Sequence, residues 1–163
     1  SPRDVQREVY YRQLQLAHEL ALPVVIHERE SAQDNYEMLS RAKEEGILSS
    51  DPPGVIHCYS GSPESAKLLL KLGFYLGFDG PITYKNARKP LEVIRECPQD
   101  RLVIETDSPY LTQVPLRGKR NEPTNLPLIG AKVAELWEMS LEDTSRVLLD
   151  NSLRLFGISE DRH

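Results

Sequence analysis

The chain has 163 residues, 39% of them apolar and 28% charged, which is enough for one soluble globular domain (1–163) with a core of its own. Its net charge of −5 excludes a globally basic nucleic-acid binder, so a polyanion would have to be met by a local basic patch or by metal ions. No apolar run reaches the roughly 18 residues that span a bilayer, and the two distant cysteines, Cys58 and Cys97, make neither a disulfide framework nor a zinc ribbon; they read as reduced, buried thiols of a cytosolic protein.

The chain opens on Ser1-Pro2-Arg3-Asp4, without an initiator Met and without the apolar centre of a signal peptide, which suggests an interior start or a trimmed chain. Ser1 reads as an N-cap, Pro2 as the first helical position and Asp4 as an acidic first turn. Tyr10, Leu14, Ala17 and Ala21 then repeat along one helical face. The run 22–26 (Leu-Pro-Val-Val-Ile) predicts a first strand, and a loop over 49–53, from Ser49 to Pro53, leads to a second at 54–56. Ser62-Pro63-Glu64 opens a helix with Ala66, Leu69 and Leu70 facing inward and Gly73 as its stop. A third strand is predicted at 74–78, a helix over 86–95 with Pro90 in its first turn, and a fourth strand at 101–104. A long loop spans 108–124. Helices follow over 127–139 and 140–150, the latter capped by Ser140 and Asp143, and a short one covers 151–156. There is no repeat beyond this rhythm and no low-complexity tract.

Strands alternating with helices at this spacing predict βαβ units and a parallel sheet. A complete (β/α)8 barrel takes about 250 residues. Four strands therefore predict an open α/β sheet or part of a barrel.

Three of the strands run into a metal-binding residue type: the first into His27, the second into His57, and the fourth, through Glu105 and Thr106, into Asp107. Ligands of parallel α/β folds sit at the C-terminal strand ends, where side chains from different strands converge. Imidazole and carboxylate suit zinc or manganese, and carboxylate suits magnesium. Two histidines and one carboxylate can hold one ion and leave a position for water, whose pKa the ion lowers toward neutrality. A plainer reading makes each histidine a hydrogen-bonded structural residue. Glu105 stands two residues before Asp107 and, by alternation, on the same face; it reads either as an acid orienting a ligand or as a buried carboxylate bonded to local backbone or to Arg120. Arg117, Lys119 and Arg120 cluster in the long loop, where cations bind phosphate or are simply solvated, and Lys85 is a similar candidate. Gly61 and Gly80 read as turn glycines near the site. Cys58 has no base of its own and reads as structural rather than nucleophilic.

Several stretches together resemble the TatD family of metal-dependent deoxyribonucleases: Val-Val-Ile-His-Glu-Arg-Glu (24–30), Gly-Val-Ile-His-Cys-Tyr-Ser-Gly-Ser-Pro-Glu (54–64), Thr-Tyr-Lys-Asn-Ala (83–87), Ile-Glu-Thr-Asp-Ser-Pro-Tyr-Leu (104–111) and Arg-Gly-Lys-Arg-Asn-Glu-Pro (117–123). Asn151 and Leu155-Phe156-Gly157 resemble the family's C-terminal ending. The likeness runs over nearly the whole chain, and the motifs are specific in order and spacing.

The resemblance implies an α/β fold, part of a (β/α) barrel with about four parallel strands and flanking helices. It implies divalent metal ions (Zn, Mg or Mn), normally two in the family, and hydrolysis of DNA phosphodiester bonds by water that the metal activates. It gives His27 and His57 the role of metal ligands, Asp107 that of metal ligand and acceptor of the water's proton, and Glu105 that of a neighbouring catalytic acid. Arg117, Arg120, Asn121 and Glu122 match a loop that shapes the mouth, so Arg117, Arg120 and Asn121, with Lys85, are the candidates for holding substrate phosphate.

Two departures from the family pattern stand out. Glu28 adds a carboxylate beside His27. The family's N-terminal His-x-His and bridging Glu have no counterpart here, so the chain is expected to begin in the helix after the fourth barrel strand and to hold an incomplete site. Partners implied are DNA and either a complementary N-terminal half of the barrel or a second copy docked at the cut edge, with no membrane, in the cytoplasm or, in a eukaryote, the nucleus. The competing functions are an inactive, structural fragment of the family and a related metal-dependent amidohydrolase acting on a small substrate.

Overall fold

The four apolar runs form one sheet. In the computed structural model, which describes residues 1–48 and 50–159, the strands are β1 (Val24–His27), β2 (Gly54–His57), β3 (Tyr75–Phe78) and β4 (Leu102–Ile104). Ser49, expected in the second loop, lies outside the described residues. The strands are parallel and follow one another across the sheet in chain order, β1-β2-β3-β4. Such pairing needs a crossover between every two strands. The crossovers carry α2 (Ala32–Glu44) between β1 and β2, α3 (Pro63–Lys71) between β2 and β3, and α4 (Arg88–Glu96) between β3 and β4. Helix α1 (Arg3–Glu19) precedes the sheet, and α5 (Leu126–Trp137) and α6 (Leu141–Phe156) follow it.

The strand that begins latest against expectation is β1. Ala21 adopts a left-handed conformation and the Leu22 N–H bonds back to the Ala17 carbonyl, so Ala21 and Leu22 finish helix α1 instead of extending its face or starting the strand. At the other end of α1 the cap is Pro2, without a side-chain bond, and not Ser1. The caps expected of Ser62 and Ser140 are present: their hydroxyls accept from Ser65 N and Asp143 N. Helix α2 escaped the pattern of inward-facing apolar residues because its buried positions, Asn35, Leu39 and Ala42, include a polar residue and a small one.

The two helices expected over 140–150 and 151–156 are a single helix, α6, which ends at Gly157 in the left-handed conformation. Asn151, where the second helix was expected to begin, is buried within the one helix. Its Nδ2 donates to the Gln99 and Leu102 carbonyls at 2.7 Å each, tying α6 to the start of β4.

Alternation divides the sheet into two faces. Ile26, Ile56, Leu76, Phe78 and Leu102 are buried with Leu39, Leu69, Ile94, Ile129 and Val133 of the helices, each contributing about 1.5–3 kcal/mol of burial. The opposite face carries Val55, Tyr75 and Val103, packed with Leu155 of α6. At its β1 end this second face is open, and Val25 is 61% exposed. The same face, followed to the C-terminal strand ends, carries the candidate site.

Candidate functional site

Parallel pairing in register sets His27 directly opposite His57. Both residues end their strands, so the two imidazoles stand side by side at the C-terminal rim, ring centroids 5.8 Å apart and tilted by 37°. His27 is exposed, whereas the His57 side chain is only 19% accessible.

Glu105 reaches His57 from two strands away. It follows β4, and its Oε2 lies 2.7 Å from His57 Nδ1 while its Oε1 accepts from the Cys58 N–H at 2.6 Å. Between them runs β3, and the residue beneath the carboxylate is Gly77. A Cβ there would lie 2.6 Å from Glu105 Oε1, so only glycine leaves the crossing free. Glu105 thus combines a contact to the His57 ring with a bond to backbone just past β2, and among the described residues it forms no ion pair with Arg120. An ionised carboxylate only accepts, so the proton on neutral His57 is on Nδ1 and the Nε2 lone pair faces the site.

Asp107 stands there: its Oδ1 is 3.4 Å from His57 Nε2. Regular alternation would have put Glu105 and Asp107 side by side, but β4 ends at Ile104 and Asp107 is left-handed at φ 53°. The two carboxylates therefore approach the imidazole from opposite nitrogens. Burial pulls the His57 pKa down, but the Glu105 bond and the charges of Glu105, Asp107 and Asp79 outweigh it and leave it raised.

One residue of this cluster escaped the sequence reading. Asp79 follows β3 directly, is 3% exposed, and its Oδ2 has no hydrogen-bond partner. Burial first, and then the charges of Glu105 and Asp107, push its carboxyl up to about 6; the Cys58 thiol and His57 pull it back only in part. The signal was an acidic residue right after an apolar strand, the same cue that marked Asp107. Cys58 itself is held as a thiol, its pKa raised by burial and by Asp79, in keeping with a structural residue.

The other candidates divide. Arg117 lies over the Tyr84 ring, 4.3 Å from its centroid, and Tyr84 in turn donates to the Thr112 carbonyl; this fixes one cation of the long loop beside the turn that follows β3. Arg120 and Lys85 are exposed. Asn121 is not available to a phosphate. It is 2% exposed, its Nδ2 donates to the Thr106 and Tyr110 carbonyls, and its Oδ1 accepts from Glu122 N and Asn125 Nδ2. An amide with these bonds has no group left to offer, so Asn121 locks the loop instead. Glu28 is engaged by α2, its Oε2 accepting from Asn35 Nδ2 at 2.7 Å.

The donors suit a divalent ion: imidazoles of His27 and His57, the latter fixed by Glu105, the carboxylate of Asp107, and an orphaned buried oxygen on Asp79. Among the described residues no group of three or more His, Cys, Asp or Glu side chains lies close enough together to hold a metal ion as it stands, so the fit rests on the chemistry of these donors and on the orphaned Asp79 oxygen.

A sequence profile described as TatD related DNase matches residues 1–157. The chain is 46% identical over 159 residues to an uncharacterized metal-dependent hydrolase, YabD, of Bacillus subtilis, covering 98% of this chain and 60% of that protein. It is 37% identical over 172 residues to a protein of Rahnella named as the 3'-5' ssDNA/RNA exonuclease TatD, covering 99% of this chain and 62% of that one. Among solved structures it superposes on YJJV, a TatD homologue of Escherichia coli, with a TM-score of 0.86 and 30% identity, over 96% of this chain and 58% of that chain. The chain thus spans about 60% of the length of the relatives it matches.

Proposed function

This chain belongs to the TatD-related DNase family, and from that premise we propose that it carries part of the active site of a metal-dependent nuclease that hydrolyses DNA phosphodiester bonds. The observation that carries the reading is the His27–His57 pair in register, with Glu105 on Nδ1 of His57 and Asp107 beside its Nε2. A structural histidine needs one partner. Here His57 has its orientation fixed on one side and a carboxylate facing the free nitrogen on the other, as a ligand nitrogen requires.

His27, His57 and Asp107 would hold a divalent ion, zinc, manganese or magnesium. Bound there, such an ion lowers the pKa of water toward neutrality and offsets charge developing on phosphate oxygens. The chain's own residues do the rest. Glu105 keeps the His57 proton on Nδ1 so that Nε2 stays a donor of its lone pair. Asp107 would accept a proton from the attacking water, a role supported by its Oδ1 lying 3.4 Å from His57 Nε2. Arg117, pinned on Tyr84, and the exposed Arg120 and Lys85 supply positive charge for a phosphate backbone around a mouth that is otherwise acidic. The Rahnella relative's name supports a nucleic-acid substrate.

The test is hydrolysis of an end-labelled single-stranded oligonucleotide, compared with a small ester and a cyclic amide, with added Mn2+, Zn2+ or Mg2+ and with chelator. The expected result is metal-dependent cleavage of the oligonucleotide alone, lowered at least 100-fold by His57→Ala or Asp107→Asn. Turnover of the amide but not the oligonucleotide would replace the nuclease reading with an amidohydrolase. No metal binding and no turnover would leave an inactive family fragment.

A further inference from the structure

We propose that Asp79 is an additional carboxylate donor to the divalent cation of this site, an inference that rests on the metal-site reading above. Asp79 retains extended backbone dihedrals, φ −133° and ψ −165°. Alternation past the end of β3 therefore puts it on the same face as Gly77, over which Glu105 crosses to His57. It stands at the end of the strand that separates β2, which carries His57, from β4, which leads into Asp107.

Its surroundings leave its charge unmatched. The side chain is 97% buried by its 3% exposure, and Oδ2 has no partner. The charged groups acting on it are Glu105 and Asp107, which repel it, and His57. The Glu105 and Asp107 carboxylates, for their part, form ion pairs only with His57 among the described residues. Three carboxylates thus share one imidazole. The cover is built: the backbone of the long loop closes onto the next residue, where a Cβ on Gly80 would fall 1.8 Å from the Leu111 carbonyl oxygen. Buried carboxylates persist when they are hydrogen-bonded, paired with a cation or bound to metal, and the first of these is unmet at Oδ2. A divalent cation meets both the orphaned oxygen and the local excess of negative charge. The Cys58 thiol hydrogen-bonds to Asp79 but brings no positive charge to it.

The experiment is a calorimetric titration of the chain with Mn2+ alone, for wild type, Asp79→Asn, Cys58→Ala and His57→Ala, with thermal melts in chelator. Asp79→Asn keeps the shape and an acceptor for the thiol but removes the charge. It is expected to weaken Mn2+ binding about 10- to 100-fold, with a metal-free Tm no lower than wild type. Cys58→Ala is expected to bind Mn2+ as wild type does. If Asp79→Asn binds Mn2+ normally while His57→Ala loses it, the site stands and the role of Asp79 falls. If Cys58→Ala loses affinity as much as Asp79→Asn, or Asp79→Asn melts lower without metal, Asp79 is a structural partner of Cys58 and the proposal is overturned. If wild type takes up no Mn2+, both the proposal and the metal site beneath it fail.

Discussion

At Asp79 a carboxylate is held out of water without a counter-charge, and that has a thermodynamic signature independent of any ligand. Its ordinary value of 3.8 rises to about 6, mainly through burial. Between those values the native chain holds a proton that the unfolded chain has released, so stability falls as pH rises through the window from about 4 to 6 and stays lower above it. A shift of this size corresponds to about 3 kcal/mol. In the metal-free chain, Asp79→Asn is expected to raise stability by up to that amount at pH 7.5 and to change little at pH 4, measured by urea denaturation in chelator. An equal effect at both pH values would show that the charge on Asp79 is not what the fold resists. The His57 pKa is raised as well, but there burial works against the shift and the Glu105 bond with three acidic neighbours outweighs it, the same excess of negative charge seen from the imidazole.

Between elements, the decisive contact is the crossing of Glu105 over β3. It is set by a missing side chain, since a Cβ on Gly77 of the intervening strand would collide with the Glu105 carboxylate. Gly77 has no positive φ, so alanine or valine there strains no backbone; the conflict is with the carboxylate, 2.6 Å from the would-be Cβ. Gly77→Val is expected to leave the helical circular dichroism unchanged and to weaken Mn2+ binding about tenfold or more, because His57 loses the partner that fixes its proton and orientation. Unaltered Mn2+ affinity in a folded Gly77→Val chain would show that Glu105 does not orient His57. The long loop is held by an equivalent economy of polar groups, Asn121 alone binding Thr106, Tyr110, Glu122 and Asn125.

For the whole molecule, one face of the sheet is packed under helices while the opposite face is bare at its β1 end. Leu16, Leu20, Leu22 and Val25 are each 45–61% exposed along α1 and β1, and they line a groove of about 430 Å³. A bare parallel edge beside apolar side chains is a template for another strand. We propose that the complementary N-terminal half of a barrel covers it, and that the chain by itself self-associates there. Light scattering after size exclusion is expected to give a mass above that of the monomer, reduced toward it by Val25→Lys with Leu22→Glu. A monodisperse wild-type monomer would argue against both occupants. No helix among the described residues is long and apolar enough to cross a membrane.

The sequence determined what depends on neighbouring residues: the four apolar runs, the caps at Ser62 and Ser140, the alternation of strand and helix, and the arrival of His27, His57 and Asp107 at strand ends. These are local properties of propensity and period, readable one segment at a time. Tertiary structure alone decided the rest. His27 faces His57 because of sheet register, Glu105 reaches His57 across 48 residues of chain, and Gly77 matters only for what passes above it. Polar residues were hard to read for the same reason: Asn121 was expected to hold phosphate, Asp79 drew no attention, and both are buried among groups contributed from distant elements.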